Sequence, residues 1–179
     1  MYKDLNKAQL GVIGEHLVAI ELLKRGWDAI LANMSINNIA SYDIVCVDPS
    51  TNKTALIQVK TSIGTNIPVG FCLDNAITSF LETKIVGPWV FVYIDKDELP
   101  HFYILSASET IKLINDSNEW YRYQWKDSYR KNPVNPKNPV GVTINWLEGK
   151  GEPDNKRHYS FVNPLVETSE NKWNKIWEL

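Results

Sequence analysis

Asp43, Gln58 and Lys60 are the residues of this chain whose types and spacing combine into chemistry. Asp43 belongs to Tyr42-Asp43-Ile44-Val45-Cys46-Val47-Asp48, and the other two to Thr54-Ala55-Leu56-Ile57-Gln58-Val59-Lys60-Thr61. Both segments are apolar and β-branched enough to be strands. Pro49-Ser50-Thr51-Asn52-Lys53 lies between them and is rich in turn formers, which predicts an antiparallel hairpin. Side chains alternate along a strand, so Gln58 and Lys60 share one face and Val59 points to the other. With Asp48 opposite Lys53, counting back along the hairpin sets Asp43 opposite Gln58. An acid, an amide and a lysine are costly to bury together without a use. The chemistry open to such a set is metal-assisted hydrolysis of a phosphodiester.

Mg²⁺ takes hard oxygen ligands, typically one or two carboxylates with waters and substrate phosphate. Asp43 is the expected anchor, Gln58 would add its amide oxygen, and the Val59 carbonyl is available beside it. Lys60 would orient or help deprotonate the attacking water and stabilise a pentacovalent phosphorane. Further upstream, the helical neighbours of Glu15 are Gly11, Val12, Val18, Ala19 and Leu22, all apolar. A carboxylate in such a patch must find a cation or take up a proton. Glu21, beside Lys24 and Arg25, is by contrast an ordinary surface ion-pair candidate. Each residue also has a plain alternative: Glu15 bonded to a loop backbone, Asp43 facing solvent at a strand entry, Lys60 snorkelling from a strand end. Their order along the chain, helix carboxylate, strand Asp and then Gln-x-Lys, favours a site. Asp48, against Pro49, is assigned to its turn.

The elements that must position these groups follow from periodicity. Residues 5–25 read as a helix with Leu10, Ile13, Leu17 and Ile20 on its apolar stripe, widened by Val18, Leu22 and Leu23 and ended by Gly26. A short strand is expected over 27–31 and a polar loop over 33–40. After Lys60, residues 61–66 are too polar for a strand and Pro68 is a further breaker. Asp74 is placed as the cap of a short helix carrying Ile77, Phe80 and Leu81. Residues 89–94 form a near-continuous apolar run, the pattern of a central strand, with 102–105 as its hairpin partner. Ser106-Ala107-Ser108-Glu109 has capping-box spacing ahead of Ile111, Leu113 and Ile114. Prolines at 133, 136 and 139 make 132–139 irregular. Residues 140–147 are a candidate strand, and a last helix with Trp173, Ile176 and Trp177 on one side starts at Thr168 or Ser169. The expected organisation is a single domain over 1–179, with a core to residue 116 and an aromatic and basic peripheral extension over 117–179.

With 179 residues, 44% of them hydrophobic, the chain can build one substantial core and is short for two. No apolar run approaches the roughly 20 residues of a membrane span, and the amino-terminal stretch lacks a signal-peptide apolar core. Cys46 and Cys72 sit in apolar contexts away from any zinc spacing, and His16, His101 and His158 are scattered. A cytoplasmic location is the expectation. A net charge of −2 removes the simple argument from a basic chain to nucleic acid, so local distribution matters more. Arg122, Lys126, Arg130 and Lys131 are the candidate residues for such a local stripe and for DNA binding, interleaved with Trp120, Tyr121, Tyr123 and Trp125. The plainer and favoured reading of these aromatics is that they pack the extension onto the core.

Gly14-Glu15, Tyr42-Asp43 and Gln58-Val59-Lys60, in that order, resemble the PD-(D/E)XK nuclease superfamily, which includes type II restriction enzymes, Holliday-junction resolvases and methylation-directed restriction enzymes. Gly14-Glu15-His16-Leu17 through Gly26-Trp27 is similar to the opening helix of the resolvase branch. The resemblance covers about residues 5–105. It implies an α/β, restriction-endonuclease-like fold: an α-β-β-β-α-β core with a mixed central sheet flanked by helices, here followed by a C-terminal extension. It further implies Glu15, Asp43, Gln58 and Lys60 at the catalytic positions, Mg²⁺ with Mn²⁺ as its substitute, duplex or branched DNA as partner, and a homodimer that cuts two strands. Gln58 departs from the usual Asp or Glu, as it does in a minority similar to the methylation-directed group. One negative charge fewer weakens metal affinity, and Glu15 is expected to compensate as a further metal ligand beside Asp43, Gln58 and Val59. The alternative is therefore a non-catalytic nucleic-acid-binding or interaction protein on the same fold.

Overall fold

The computed structural model describes residues 2–32, 42–64, 66–72, 77–124, 141–145 and 169–178. Helix α1, Lys7–Lys24, opens on a reciprocal cap. Asn6 accepts the Gln9 N–H at 2.9 Å, and the Gln9 side chain accepts the Asn6 N–H at 3.0 Å. It closes on a Schellman motif: Gly26, at φ +77°, donates to the Leu23 carbonyl at 2.9 Å, and Trp27 donates to Leu22 at 3.2 Å. The buried stripe differs from the expected one. Leu10, Gly14, Val18 and Leu22 face the sheet with Ala19, whereas Ile13 and Leu17 are half-buried and Ile20 is 49% exposed. The cause is Gly14. A Cβ there would stand 1.7 Å from Thr61 Oγ1, so the helix makes its closest approach on that residue and turns its stripe to match.

Strands β1 (Asp28–Leu31), β2 (Ile44–Asp48) and β3 (Lys53–Ser62) come next, then β4 (Asn66–Cys72), helix α2 (Thr78–Leu81), β5 (Trp89–Ile94), β6 (Pro100–Leu105), helix α3 (Ala107–Gln124) and β7 (Gly141–Asn145). A 3₁₀ turn, Trp173–Trp177, ends the described chain. The main sheet runs β1-β2-β3-β5-β6, antiparallel throughout except for the parallel pair β3–β5, while β4 and β7 form a separate two-stranded ribbon. This is the expected mixed α/β architecture, with β4 added before the crossover helix. α3 opens on the expected capping box, the Ser106 N–H donating to Glu109 Oε2 at 3.0 Å and the Glu109 N–H to Ser106 Oγ at 3.3 Å.

Three expectations are corrected. Thr61 and Ser62 continue β3, because their backbones pair with Val92 and Tyr93 whatever the polarity of their side chains; only then does Ser62 Oγ turn the chain by accepting the Gly64 N–H at 3.0 Å. Pro68 lies inside β4, exposed between buried Ile67 and Val69, beside a register irregularity that Gly70 accommodates at φ +85°. Helix α2 starts after Ile77, which caps it without a side-chain bond, so Asp74 is not its cap. The expected loop over 33–40 lies outside the described residues.

β3 and β5 are buried on both faces. One face packs Ile44, Cys46, Ile57, Val59, Val90 and Val92 against α1 and against Trp173 and Ile176 of the 3₁₀ turn. The other packs Trp89, Phe91, Tyr103 and Leu105 against Ile67 and Val69 of β4, Leu81 of α2 and Ile114 of α3. Although residues beyond 116 were expected at the periphery, α3 runs unbroken to residue 124 and Trp173 and Ile176 enter the main core. Arg25 holds its guanidinium 4.4 Å over the Trp173 ring, and Trp27 meets Trp177 edge-on at 5.2 Å.

Candidate functional site

The β2–β3 register has the predicted form: Asp48 pairs with Lys53 and Ile44 with Ile57. One step further, Asp43 meets Gln58. The turn is held by Asp48, whose carboxylate accepts the Ser50 N–H at 2.9 Å, the Ser50 hydroxyl at 2.6 Å and the Thr51 hydroxyl at 2.8 Å; these bonds lower its proton affinity. Asp48 is thereby spent on structure, as its position beside Pro49 implied.

Asp43 and Gln58 are each only 8% exposed. A buried carboxylate needs donors, and Asp43 Oδ2 has two on β3: the Val59 N–H at 2.7 Å and the Gln58 side-chain amide. The same Gln58 nitrogen stands 3.4 Å from the Val59 carbonyl. An ionised carboxylate and a carbonyl only accept, so the amide must turn its NH₂ toward them. That NH₂ group, carrying partial positive charge, occupies the point where Asp43, Val59 and residue 58 would converge on a cation. Rotating the amide by half a turn exchanges the donor for an oxygen ligand. Among the described residues no three His, Cys, Asp or Glu side chains group at metal distance. The hard donors here are instead one carboxylate, one amide and one main-chain carbonyl.

Lys60 lies in the interior of β3, two residues before its end, and not at the strand terminus where snorkelling was weighed. Burial weakens its hold on a proton, and the negative charges of Asp43 and then Glu15 act in the opposite sense. Glu15 reaches this neighbourhood from α1, which crosses the other face of the sheet, because Gly14 lets that helix settle on Thr61, the residue after Lys60. Asp43 and Gln58 are therefore in direct contact, and Lys60 lies within electrostatic reach of Asp43 and Glu15. Of the candidate DNA-binding residues, Arg122 belongs to the backbone of α3, and Lys126, Arg130 and Lys131 lie outside the described residues. Cys46 is buried, its thiol pushed up to about 12 by desolvation, and is inert core as expected.

Two residues not assigned to the site from sequence stand beside it. Trp89 places its ring 5.4 Å from the Lys60 ammonium, and Phe71 stacks on that ring at 6.2 Å. Neither carried a local signal. Trp89 reads as the start of a core strand, and only the parallel β3–β5 pairing sets it beside Gln58.

No protein-family profile matches the chain, and no curated protein matches it in sequence. Among solved structures it is similar to the bacterial homing endonuclease I-Ssp6803I, a distant likeness of backbone: 16% identity, a TM-score of 0.36, 57% of this chain and 67% of the other covered.

Proposed function

We propose that this protein is a Mg²⁺-dependent DNA endonuclease of the PD-(D/E)XK type, with Mn²⁺ able to replace Mg²⁺. The reading rests on one observation: Asp43, Gln58, the Val59 carbonyl and Lys60 meet on the sheet, within electrostatic reach of Glu15. The oxygen donors of Asp43, Val59 and a rotated Gln58 suit a hard divalent cation. Such an ion, when bound, neutralises phosphate charge and makes a water more acidic.

The chain's own groups supply the rest. Asp43 keeps its carboxylate fixed against the Val59 N–H. Lys60 offers a partly desolvated ammonium to a non-bridging phosphate oxygen, an attraction that grows as charge builds toward the transition state. Burial lowers its proton affinity, and the negative charges of Asp43 and then Glu15 oppose that shift. DNA is the proposed partner, held by the stripe from Arg122 to Lys131, and a homodimer would bring two such sites to two strands.

Plasmid and branched DNA, incubated with and without Mg²⁺ or Mn²⁺, provide the test. Cleavage should require the metal and fall by at least about a hundredfold in Asp43→Ala and in Lys60→Ala. Circular dichroism should show both variants folded. Undiminished cleavage by either variant overturns the reading at these residues. Binding of DNA without metal-dependent cleavage would instead favour the non-catalytic alternative, in which the Gln58 amide permanently satisfies Asp43.

A further inference from the structure

We propose that Trp89 is the positioning residue for Lys60, and that Phe71 locks it in that role. The functional half of this inference rests on the endonuclease reading above; the structural half rests on geometry alone. A lysine side chain left to itself extends its ammonium toward water. In the parallel β3–β5 ladder Lys60 is paired with Phe91, and Trp89 is paired with Gln58. The Lys60 ammonium nevertheless lies over the Trp89 ring, 5.4 Å from its centre. The side chain thus leans back one step along β3, into the row that holds Gln58 and Asp43. The distance is inside the roughly 6 Å over which a ring face attracts a cation, and indole is the strongest such ring.

The ring is fixed. Trp89 is 5% exposed, stacked by Phe71 at 6.2 Å with 23° between planes and met by Phe91 at 5.7 Å. Phe71 comes from β4, so the two-stranded ribbon and the site share a wall. A π face also has an advantage over a carboxylate as a holder. It attracts the ammonium without being a directional acceptor, so the three N–H donors stay available to phosphate and carboxylate oxygens. Trp89 therefore sets where the charge stands and leaves its hydrogen bonds to the substrate.

The structural test is the position of the Lys60 ε-methylene signals by NMR on the ¹³C-lysine-labelled full chain, identified by their loss in Lys60→Gln. Lying over the ring, they should resonate upfield of those of lysines that meet no ring, stay partly shifted in Trp89→Phe, and lose the shift in Trp89→Leu and more weakly in Phe71→Leu. Lys84, over Phe80, should keep its own shift in all three. An unshifted wild-type signal, or one that ignores Trp89→Leu, overturns the proposal. The functional test is kinetic. Trp89→Leu should lower kcat about tenfold with KM within about twofold, Trp89→Phe should recover most of the loss, and Trp89→Leu should cost nothing further when added to Lys60→Gln. Multiplicative losses in that pair, or an effect confined to KM, would mean that Trp89 serves the fold and not Lys60. Trp89→Phe keeps an aromatic filling, so a collapse of Trp89→Leu leaves both tests readable. If the wild type cuts no DNA, the endonuclease reading fails while the NMR result still decides the geometry.

Discussion

An amide beside a carboxylate behaves unlike a second carboxylate, and Gln58 is where this chain feels the difference. With Gln58, the amide donates to Asp43 in the metal-free site, within electrostatic reach of the Lys60 charge. Gln58→Glu would set two carboxylates face to face, which raises the proton affinity of one of them and destabilises the metal-free protein. The expected outcome is a melting temperature below wild type without divalent ions. Mg²⁺ at a hundred times its dissociation constant should then add about 5–10 °C to that variant. The wild type should gain less, and Gln58→Glu should also need less metal for half-maximal cleavage. Overlapping melting curves and overlapping metal titrations for the two proteins would place Gln58 outside the coordination sphere. At this scale the sequence was readable where geometry is local. Strand alternation and the four-residue turn between Asp48 and Lys53 suffice to align Asp43, Gln58 and Lys60. Trp89 was unreadable because a parallel neighbour reached through β4 and α2 leaves no spacing rule behind.

Among the elements, α1 is placed by a glycine and not by its hydrophobic stripe. Gly14→Ala would drive a methyl group into Thr61, and relief requires either the helix or β3 to move. Overpacking of this kind costs about 1–3 kcal/mol, measurable by urea denaturation, and Thr61→Ala should return part of it. Because Glu15 follows Gly14, cleavage should fall further than the stability loss explains; equal stability in Gly14→Ala would show that the contact is slack. The contrast explains which elements were legible. The Gly26 stop of α1, the capping box of α3 and the β2–β3 and β5–β6 hairpins are written in residues a few positions apart. The buried face of α1 depends on Thr61, nearly fifty positions away, and β4 depends on a partner strand that tolerates Pro68 at an irregularity. Ile20 and Leu23 were placed on the apolar stripe by helical periodicity and are about half exposed for the same reason.

For the whole molecule, the described C-terminal segment is joined to the sheet by a latch that titrates. His101 on β6 meets Asp95 at 3.0 Å and Glu170 at 3.3 Å, and its ring stacks on Tyr93. Beside it Asn171 donates to the Phe102 carbonyl at 2.9 Å, and Lys175 pairs with Glu109. The bond to Asp95 comes first in raising the proton affinity of His101, with Glu170 adding to it, and the same bond lowers that of Asp95. His101 therefore contributes stability that is fully present below its ordinary value of 6.5 and is lost as pH rises through its higher folded value. Asp95 contributes above its ordinary 3.8 and loses that contribution as pH falls through its lower folded value. The latch should be tightest between the two ordinary values, 3.8 and 6.5. The melting temperature should fall from pH 6 to pH 9 more steeply in wild type than in His101→Gln, and superimposed profiles would exclude the latch. A different consequence follows from β3, the strand that packs the core with Ile57 and Val59 and equips the site with Gln58 and Lys60. Since alternate residues serve the two purposes, a one-residue deletion within it exchanges their faces and ruins both. Point replacement of Gln58 or Lys60 spares Ile57 and Val59. Descent can therefore silence the chemistry one residue at a time while inheriting the sheet intact, but it cannot shift the site along the strand.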